Sequence, residues 1–151
     1  MPINLLVLIL GLTFWTMLAP GPNPEAIFHG RSTTNAVIGE KRYELEIADD
    51  LTERGRGLSW RKTLAKNRGM LFIFEKPGRY IFTMEGMLLP LDFIWLKQGK
   101  VVDLKEAVNP TAPDRPSTNI EAKNDFDQVI ELNAGEINAA RVKLGDRVAY
   151  F

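Results

Sequence analysis

Four acidic side chains have types and positions that could support chemistry. They are Asp92, Asp103, Glu106 and Glu131, which the expected strands could bring together across a sheet. Paired carboxylates act as general acids and bases or hold a hard cation. The simpler interpretation is that Asp92 caps a turn or pairs with Arg56 or Arg61, because buried acids almost always have partners. The same interpretation applies to Glu131.

A basic cluster lies on the first expected helix and at its exit. Its members are Arg54, Arg56 and Arg61. The forked donors of arginine suit a bound anion. Ion pairing with the acidic residues is the favoured interpretation, since surface arginines and carboxylates readily form such pairs.

Methionine and tryptophan side chains form a third candidate surface, an adaptable apolar groove. The residues are Met70, Met84, Met87, Trp60 and Trp95. Ordinary core packing is favoured over a groove, because these residue types are usually mostly buried. Taken together, the candidate ligand or partner surface consists of Arg54, Arg56, Arg61, Met84, Met87, Asp92 and Glu131.

Composition excludes several kinds of chemistry. The chain has no cysteine, which excludes disulfides, thiolate metal sites and a thiol nucleophile. Its single histidine, His29, has no companion in a recognisable triad motif. Basic and acidic residues both number 19, so the neutral chain lacks the charge that attracts nucleic acid. We therefore expect no catalytic residues, metal, cofactor or nucleic-acid partner.

The element that must position these side chains is a hairpin between residues 91 and 104. Leu91, Phe93 and Trp95 alternate with Asp92 and other mostly apolar residues, a pattern typical of a strand buried on both sides. Gly99 supplies the turn, and residues 101–104 return as the partner strand.

The remaining pattern predicts a mostly β (α+β) fold. Short strands follow one another with two short helices, at Leu51–Leu58 and Ala134–Val142, and with a long loop over residues 109–125. Uneven connections without regular βα alternation favour a mixed, barrel-like sheet. We expect this β-rich domain to cover residues 42–151.

The N-terminal segment is expected to be a single transmembrane anchor over residues 1–19. Residues 3–19 carry no charged side chain and would span about 26 Å as a helix. A cleaved signal peptide and a buried soluble helix are the alternatives. The proline-rich residues 20–41 would form a linker with an irregular segment, within which residues 25–40 are either irregular or one short strand pair. The anchor residues singled out are Leu5, Leu8, Leu12, Phe14 and Trp15.

Several phrases together resemble the domain of unknown function 192 family over about residues 42–149. They are Glu46-Ile47-Ala48 with Arg54, Gly57-Leu58 and Arg61; Gly69-Met70-Leu71-Phe72; Met84 with Pro90-Leu91-Asp92; Glu131-Leu132-Asn133-Ala134-Gly135; and Gly145-Asp146-Arg147-Val148. The resemblance implies a compact β-rich, barrel-like domain of bacterial or archaeal type. Relatives often begin with an export signal or anchor, and no activity is established for them.

Two positions depart from the family pattern. The family often has tryptophan before the methionine that matches Met84, and lysine after it. This chain has Thr83 and Glu85 there. If those family residues line a ligand surface, the surface is altered here.

Three functions follow as hypotheses. The first is a non-enzymatic, membrane-anchored accessory subunit of a larger complex, for example photosynthetic or respiratory, with integral membrane subunits and the lipid bilayer as partners. The second is a cell-envelope domain that binds a small ligand. The third is an uncharacterised enzyme. The family resemblance favours a globular domain on the outer, periplasmic side of the cytoplasmic membrane.

Overall fold

A computed structural model describes residues 32–151, and strands make up most of its regular structure. The elements are β1 (Thr33–Ile38), β2 (Lys41–Ala48), α1 (Leu51–Arg56), β3 (Arg68–Gly78), β4 (Phe82–Thr83), β5 (Leu91–Lys97), β6 (Lys100–Val108), β7 (Asn119–Ile120), β8 (Phe126–Asn133), α2 (Glu136–Ala139) and β9 (Ala149–Tyr150). The expectation of a mostly β fold with two short helices is confirmed.

Seven strands form one curled, half-barrel sheet in the order β6-β5-β8-β3-β2-β1-β9. Neighbours run antiparallel except β2 and β3, which are parallel and connected through α1. The two edges approach each other at one end, because the backbone of Val101 bonds to that of Gly145 and Asp146. The small β4-β7 pair forms a separate two-stranded sheet.

The predicted hairpin is present as β5 and β6. Gln98 and Gly99 connect the strands, and both have positive φ, 52° and 71°. Positive φ at both central positions matches the twist of the flanking strands, as in the tight hairpin turns of primed type. Six of the seven β5 residues are buried, so the expectation of a strand covered on both faces is confirmed.

Each face of the sheet carries its own apolar core. One core contains Ile94 and Ile130 and is closed by Ile137 of α2 and by residues near the C-terminus. The other contains Phe93 and Trp95 and is closed by the exit of α1, residues 79–90 and the long loop before β8. Strand β5 is buried because an apolar core covers each of its two faces.

The first helix begins where its sequence predicts. Asp50 is the N-cap, and its carboxylate accepts the N–H of Glu53 at 2.7 Å. The Glu53 carboxylate in turn accepts the N–H of Asp49 at 3.3 Å. The first bond satisfies an N–H group that the helix itself leaves unpaired, and the second ties the residue before the cap to the first turn. The helix ends at Arg56, earlier than predicted, because Gly57 adopts a positive φ of 50°.

The sheet begins before the predicted domain boundary at residue 42. Strand β1 lies inside the 20–41 segment that was expected to be linker and irregular chain. It pairs with β2 along its whole length, and it places Ala36 and Ile38 in the core. The predicted transmembrane helix and its anchor residues Leu5, Leu8, Leu12, Phe14 and Trp15 lie outside the described residues, as does His29. Between residues 32 and 151, no helix is long and apolar enough to cross a bilayer.

Candidate functional site

Two acidic side chains occupy one row across the centre of the sheet. The strand register places Met70 of β3 between Glu46 of β2 and Glu131 of β8. Phe93 of β5 follows beside Glu131. Residues paired in this way point to the same face, and strands are spaced about 4.8 Å apart. The two carboxyl groups therefore enter the same apolar core from positions about 10 Å apart.

Glu46 is neutralised by a buried arginine. Two nitrogens of Arg61 donate to the two oxygens of the Glu46 carboxylate at 2.6 and 2.5 Å. Both side chains are 9% exposed. The paired geometry provides charge-assisted hydrogen bonds, which are the strongest class in proteins. Arg61 was predicted to pair with Asp92 or Glu131. It is bound to Glu46 instead.

Glu131 has no comparable partner. Its side chain is buried, with 5% of the residue exposed. Within residues 32–151 its carboxyl group takes part in no hydrogen bond or ion pair. Burial raises the pKa of Glu131 to about 8, because the charged form has lost its hydration without gaining a counter-charge. At neutral pH this side chain is mostly a neutral carboxylic acid.

The Glu131 side chain reaches a cleft of about 400 Å³. The cleft lies between α1, the outer part of β3 and residues 80–83. Its lining residues are Leu51, Arg54, Gly55, Arg56, Gly57, Leu58, Ser59, Phe72, Phe74, Tyr80, Ile81, Phe82, Thr83, Met87 and Glu131. The volume is in the range of clefts that hold small organic ligands. The lining is mostly apolar, with a single acidic group at its base.

Aromatic rings form one wall of the cleft. Phe74 and Tyr80 stack with ring centroids 3.9 Å apart, and Phe82 packs edge-on against Phe72 at 5.3 Å. The guanidinium of Arg54 lies 5.2 Å from the centre of the Phe74 ring and donates to the carbonyl oxygen of Ile73 at 2.8 Å. Arg54 also donates to the carbonyl oxygen of Asp49. This arginine is a fixed part of the wall.

The rim of the cleft combines one unpaired cation with exposed apolar groups. Arg56 is exposed, and no hydrogen bond or ion pair of its side chain is found among residues 32–151. Leu51 and Ile81 are 83% and 59% exposed. Just outside the lining, the Trp60 side chain is 64% exposed, and its backbone has a positive φ of 65°. Its ring covers Gly86, where a side-chain carbon would approach the ring to 3.1 Å.

The structure brings four of the seven candidate residues to this cleft. They are Arg54, Arg56, Met87 and Glu131. Arg61 is bound to Glu46, and Met84 is buried and contributes to a separate cleft under the loop at 109–118. Met70, Met84, Met87 and Trp95 are all at least 93% buried, so core packing describes them, whereas Trp60 is exposed.

Asp92 lies on the opposite face of the sheet, and the predicted pairing with Arg56 or Arg61 is wrong. Its carboxylate is fully buried and accepts the N–H groups of Ala107 and Ile137, both at 2.8 Å. Ile137 is in the first turn of α2, so the alternative interpretation of Asp92 as a cap is confirmed. Asp103 likewise accepts N–H groups, those of Leu104 and Lys123. Within the described part of the chain, no group of three acidic or histidine side chains could hold a metal ion.

Reasoning from sequence missed Glu46 and the aromatic wall. Glu46 sits in a strand with alternating polar and apolar residues, where it looked like an ordinary solvent-facing position. Its burial depends on Arg61 folding back from the exit of α1. A signal for the wall was present, because four aromatic residues fall within one short stretch in two pairs with alternate spacing, Phe72 with Phe74 and Tyr80 with Phe82.

The fold and the cleft define a small β-rich domain with a ligand-sized aromatic cleft and a lone buried acid. The chain belongs to the domain of unknown function 192 family, described as an uncharacterized ACR, whose model matches residues 33–150. The predicted family membership is thereby confirmed, and the matched region includes β1. No curated protein is detectably similar to the chain.

Two solved structures share the fold. One is a candidate transcription regulator from Sinorhizobium meliloti 1021, with 26% identity, a TM-score of 0.73, and coverage of 80% of this chain and 95% of that one. The other is a protein of unknown function from Novosphingobium aromaticivorans DSM 12444, with 24% identity, a TM-score of 0.68, and coverage of 79% and 84%. Both support the fold, and neither comes with an established activity.

Proposed function

We propose that this protein binds a small organic ligand in the cleft above Glu131, without turning it over, as a domain of the cell envelope. The observation that carries the proposal is the buried, unpartnered carboxyl group at the base of an apolar cleft. Burying an acid with no partner lowers stability, because the group loses water and gains nothing. Side chains that lower stability in this way are typical of binding sites, where a ligand supplies the missing interaction.

The contrast between the two acids of the row supports this proposal. Glu46 and Glu131 flank the same methionine, yet a guanidinium reaches only Glu46. Arg54 and Arg56 line the same cleft as Glu131 but form no ion pair with it. The position at the base of the cleft is therefore open to a group supplied from outside the chain.

The proposal predicts ligand-dependent stabilisation that needs Glu131. The full-length chain in mild detergent is screened by thermal unfolding against amino acids, amines, sugars and organic anions. A ligand at 100 times its dissociation constant adds about 2.7 kcal/mol to the free energy of unfolding. We expect such a shift for the unaltered protein and for Glu121→Gln, whose carboxyl group is exposed and remote from the cleft lining. Glu131→Gln is expected to lose it.

Two results would count against ligand binding in this cleft. The first is that no compound raises the unfolding temperature of the unaltered protein. The second is that a compound stabilises the Glu131→Gln and Glu121→Gln variants equally, since binding would then occur elsewhere.

A membrane-anchored accessory subunit is the second candidate function. The exposed apolar side chains at the cleft rim favour it, because Leu51, Trp60 and Ile81 form the kind of surface that partner proteins cover. The charge-free residues 3–19 add a means of attachment to a bilayer. On this proposal the domain lies outside the cytoplasmic membrane and packs on integral subunits.

The subunit proposal predicts co-migration with a larger assembly. Membranes of the source cells are extracted in mild detergent, and the particle that contains this chain is sized. We expect a particle several times the mass of the 17.0 kDa chain, and a triple variant with Leu51, Trp60 and Ile81 changed to serine is expected to leave it. A chain that runs alone in its detergent micelle would exclude this role.

A further inference from the structure

We propose that the ligand of this cleft is a small zwitterion that places its cationic group against Glu131 and its anionic group against Arg56. The inference rests on the proposed ligand-binding function and adds the chemical class of the ligand. Amino acids and phosphoethanolamine-type head groups share this chemistry.

The base of the cleft favours a cation. The Glu131 carboxyl group is the sole acidic group among the described lining residues, and no cation of the described chain neutralises it. An ammonium group would provide the counter-charge that the buried carboxylate lacks. Proton transfer from the acid to water would then accompany binding, and no covalent bond would form.

The aromatic wall also favours a cation. The faces of Phe and Tyr rings carry negative partial charge and attract ammonium and guanidinium groups within about 6 Å. The cleft already contains one example, because the Arg54 guanidinium lies 5.2 Å from the centre of the Phe74 ring. Phe72 and Phe82 present further ring surface to the same space.

The rim favours an anion. Arg56 is exposed at the mouth, and it has no ion pair or hydrogen bond with any residue between 32 and 151. Its guanidinium is therefore free to form two parallel bonds with a carboxylate or a phosphate. Arg54 differs from Arg56 because its Nη1 donates to two backbone carbonyl oxygens, those of Asp49 and Ile73, which hold its guanidinium against the wall.

Together these groups give the cleft a base that becomes negative when a cation binds there, and a mouth that is positive because of Arg56. A ligand with an anion alone would leave Glu131 in its neutral form, because it supplies no counter-charge that favours the carboxylate. A ligand with a cation alone would reach the base but leave Arg56 unused. A molecule with both charges, separated by a short apolar body, would supply a partner to both Glu131 and Arg56.

A matched series of three compounds tests this charge order. The probes are para-(aminomethyl)benzoate, benzylamine and benzoate, which share one ring and differ only in their charged groups. Binding to the full-length chain in detergent is measured by calorimetry. We expect para-(aminomethyl)benzoate to bind about fivefold more tightly than benzylamine, the size of one exposed ion pair. Benzoate is expected to show no binding.

Single substitutions assign each charge to its residue. Glu131→Gln is expected to weaken binding of both amines about a hundredfold, the effect of removing one partner of a buried charge pair. Arg56→Gln is expected to remove the advantage of para-(aminomethyl)benzoate over benzylamine and to leave benzylamine binding unchanged. Arg115→Gln, an equal change at an exposed arginine outside the cleft, is the control and should leave all affinities unchanged.

A second arm separates the two sources of the same head group. Free phosphoethanolamine is compared with mixed micelles that contain phosphatidylethanolamine. Binding of either one with loss in Glu131→Gln supports the zwitterion, and the arm that binds identifies a free solute or a lipid as its source.

The results that overturn the ligand class differ from those that overturn the function. If benzoate or an uncharged compound binds in the cleft and the amines do not, the zwitterion is wrong and ligand binding stands. If no compound of the series or of the wider screen requires Glu131 for binding, both proposals fall.

Discussion

Replacement of Glu131 by glutamine is expected to remove most of the loss of stability that the ligand-free protein shows between about pH 5 and pH 8. Burial raises the pKa of this carboxyl group from 4.5 to about 8. Between these values the folded state holds a proton that the unfolded state has released, so unfolding releases a proton and stability falls as pH rises. The favourable contribution is complete below about pH 4.5 and is lost by about pH 8.

The expected effect is large for a single side chain. One pKa unit corresponds to about 1.4 kcal/mol, so the free energy of unfolding falls by up to that amount per pH unit in the window. The total loss is on the order of 3 kcal/mol, a substantial part of the stability of a typical domain. Glutamine cannot ionise. The free energy of unfolding of Glu131→Gln should therefore fall less between pH 5 and pH 8 than that of the unaltered protein.

Urea unfolding of the full-length chain at a series of pH values measures this difference. Glu121→Gln is the matched control and should keep the slope of the unaltered protein. Glu136 does not contribute in this window: burial acts to raise its pKa, but hydrogen bonds from Tyr43 and Lys41 hold the pKa below its usual value. The charged and titratable groups that share the cleft with Glu131 are Arg54, Arg56 and Tyr80. Equal slopes in Glu131→Gln and the unaltered protein would mean that the carboxyl group is hydrated or paired.

Replacement of Arg61 by methionine is expected to lower the free energy of unfolding by about 3–5 kcal/mol. Arg61 and Glu46 are both 9% exposed, and the substitution leaves the Glu46 carboxylate buried without its counter-charge. The row across the sheet would then contain two unpartnered acids, one on either side of Met70. Urea unfolding at neutral pH measures the loss.

A second ion pair, whose acid also lies on β2, provides the control. Arg68 and Glu44 form an ion pair at 2.9 Å, but both side chains are 38% exposed. Arg68→Met should therefore lower the free energy of unfolding by less than about 1 kcal/mol. The double variant Glu46→Gln with Arg61→Met should recover most of the loss, because no buried charge remains. If Arg61→Met were no more harmful than Arg68→Met, the buried pair would contribute no more than a surface pair.

The hairpin of β5 and β6 was predictable because it depends on local pattern. Alternation over residues 91–96 and a glycine in the turn are sufficient to predict two strands and the turn between them. The cap of α1 was predictable for the same reason, since Asp50 and Glu53 are three residues apart and the Asp50 carboxylate accepts the N–H of Glu53. Interactions between residues close in sequence need no knowledge of the fold.

The partners of the acidic residues were not predictable, because each partner is set by contacts between distant segments. Asp92 and Glu131 have the same charge and lie on neighbouring strands, yet one accepts two backbone N–H groups and the other accepts none within the described chain. Their side chains point to opposite faces, and on the Asp92 face the donors come from Ala107 of β6 and Ile137 of α2. Strand β1 was obscured in a similar way, because its core positions are defined by pairing with β2 and β9.

By itself the sequence determined the strand pattern, the central hairpin, the absence of thiol chemistry and the membership of a family, because these depend on residue types and short spacings. Only the tertiary structure decided that Arg61 neutralises Glu46, that aromatic rings from β3 and residues 80–82 enclose a cleft, and that Glu131 lies unpartnered at its base. The physical reason is that the state of a buried charge depends on every neighbour within a few ångströms. Those neighbours come from parts of the chain that the fold alone brings together.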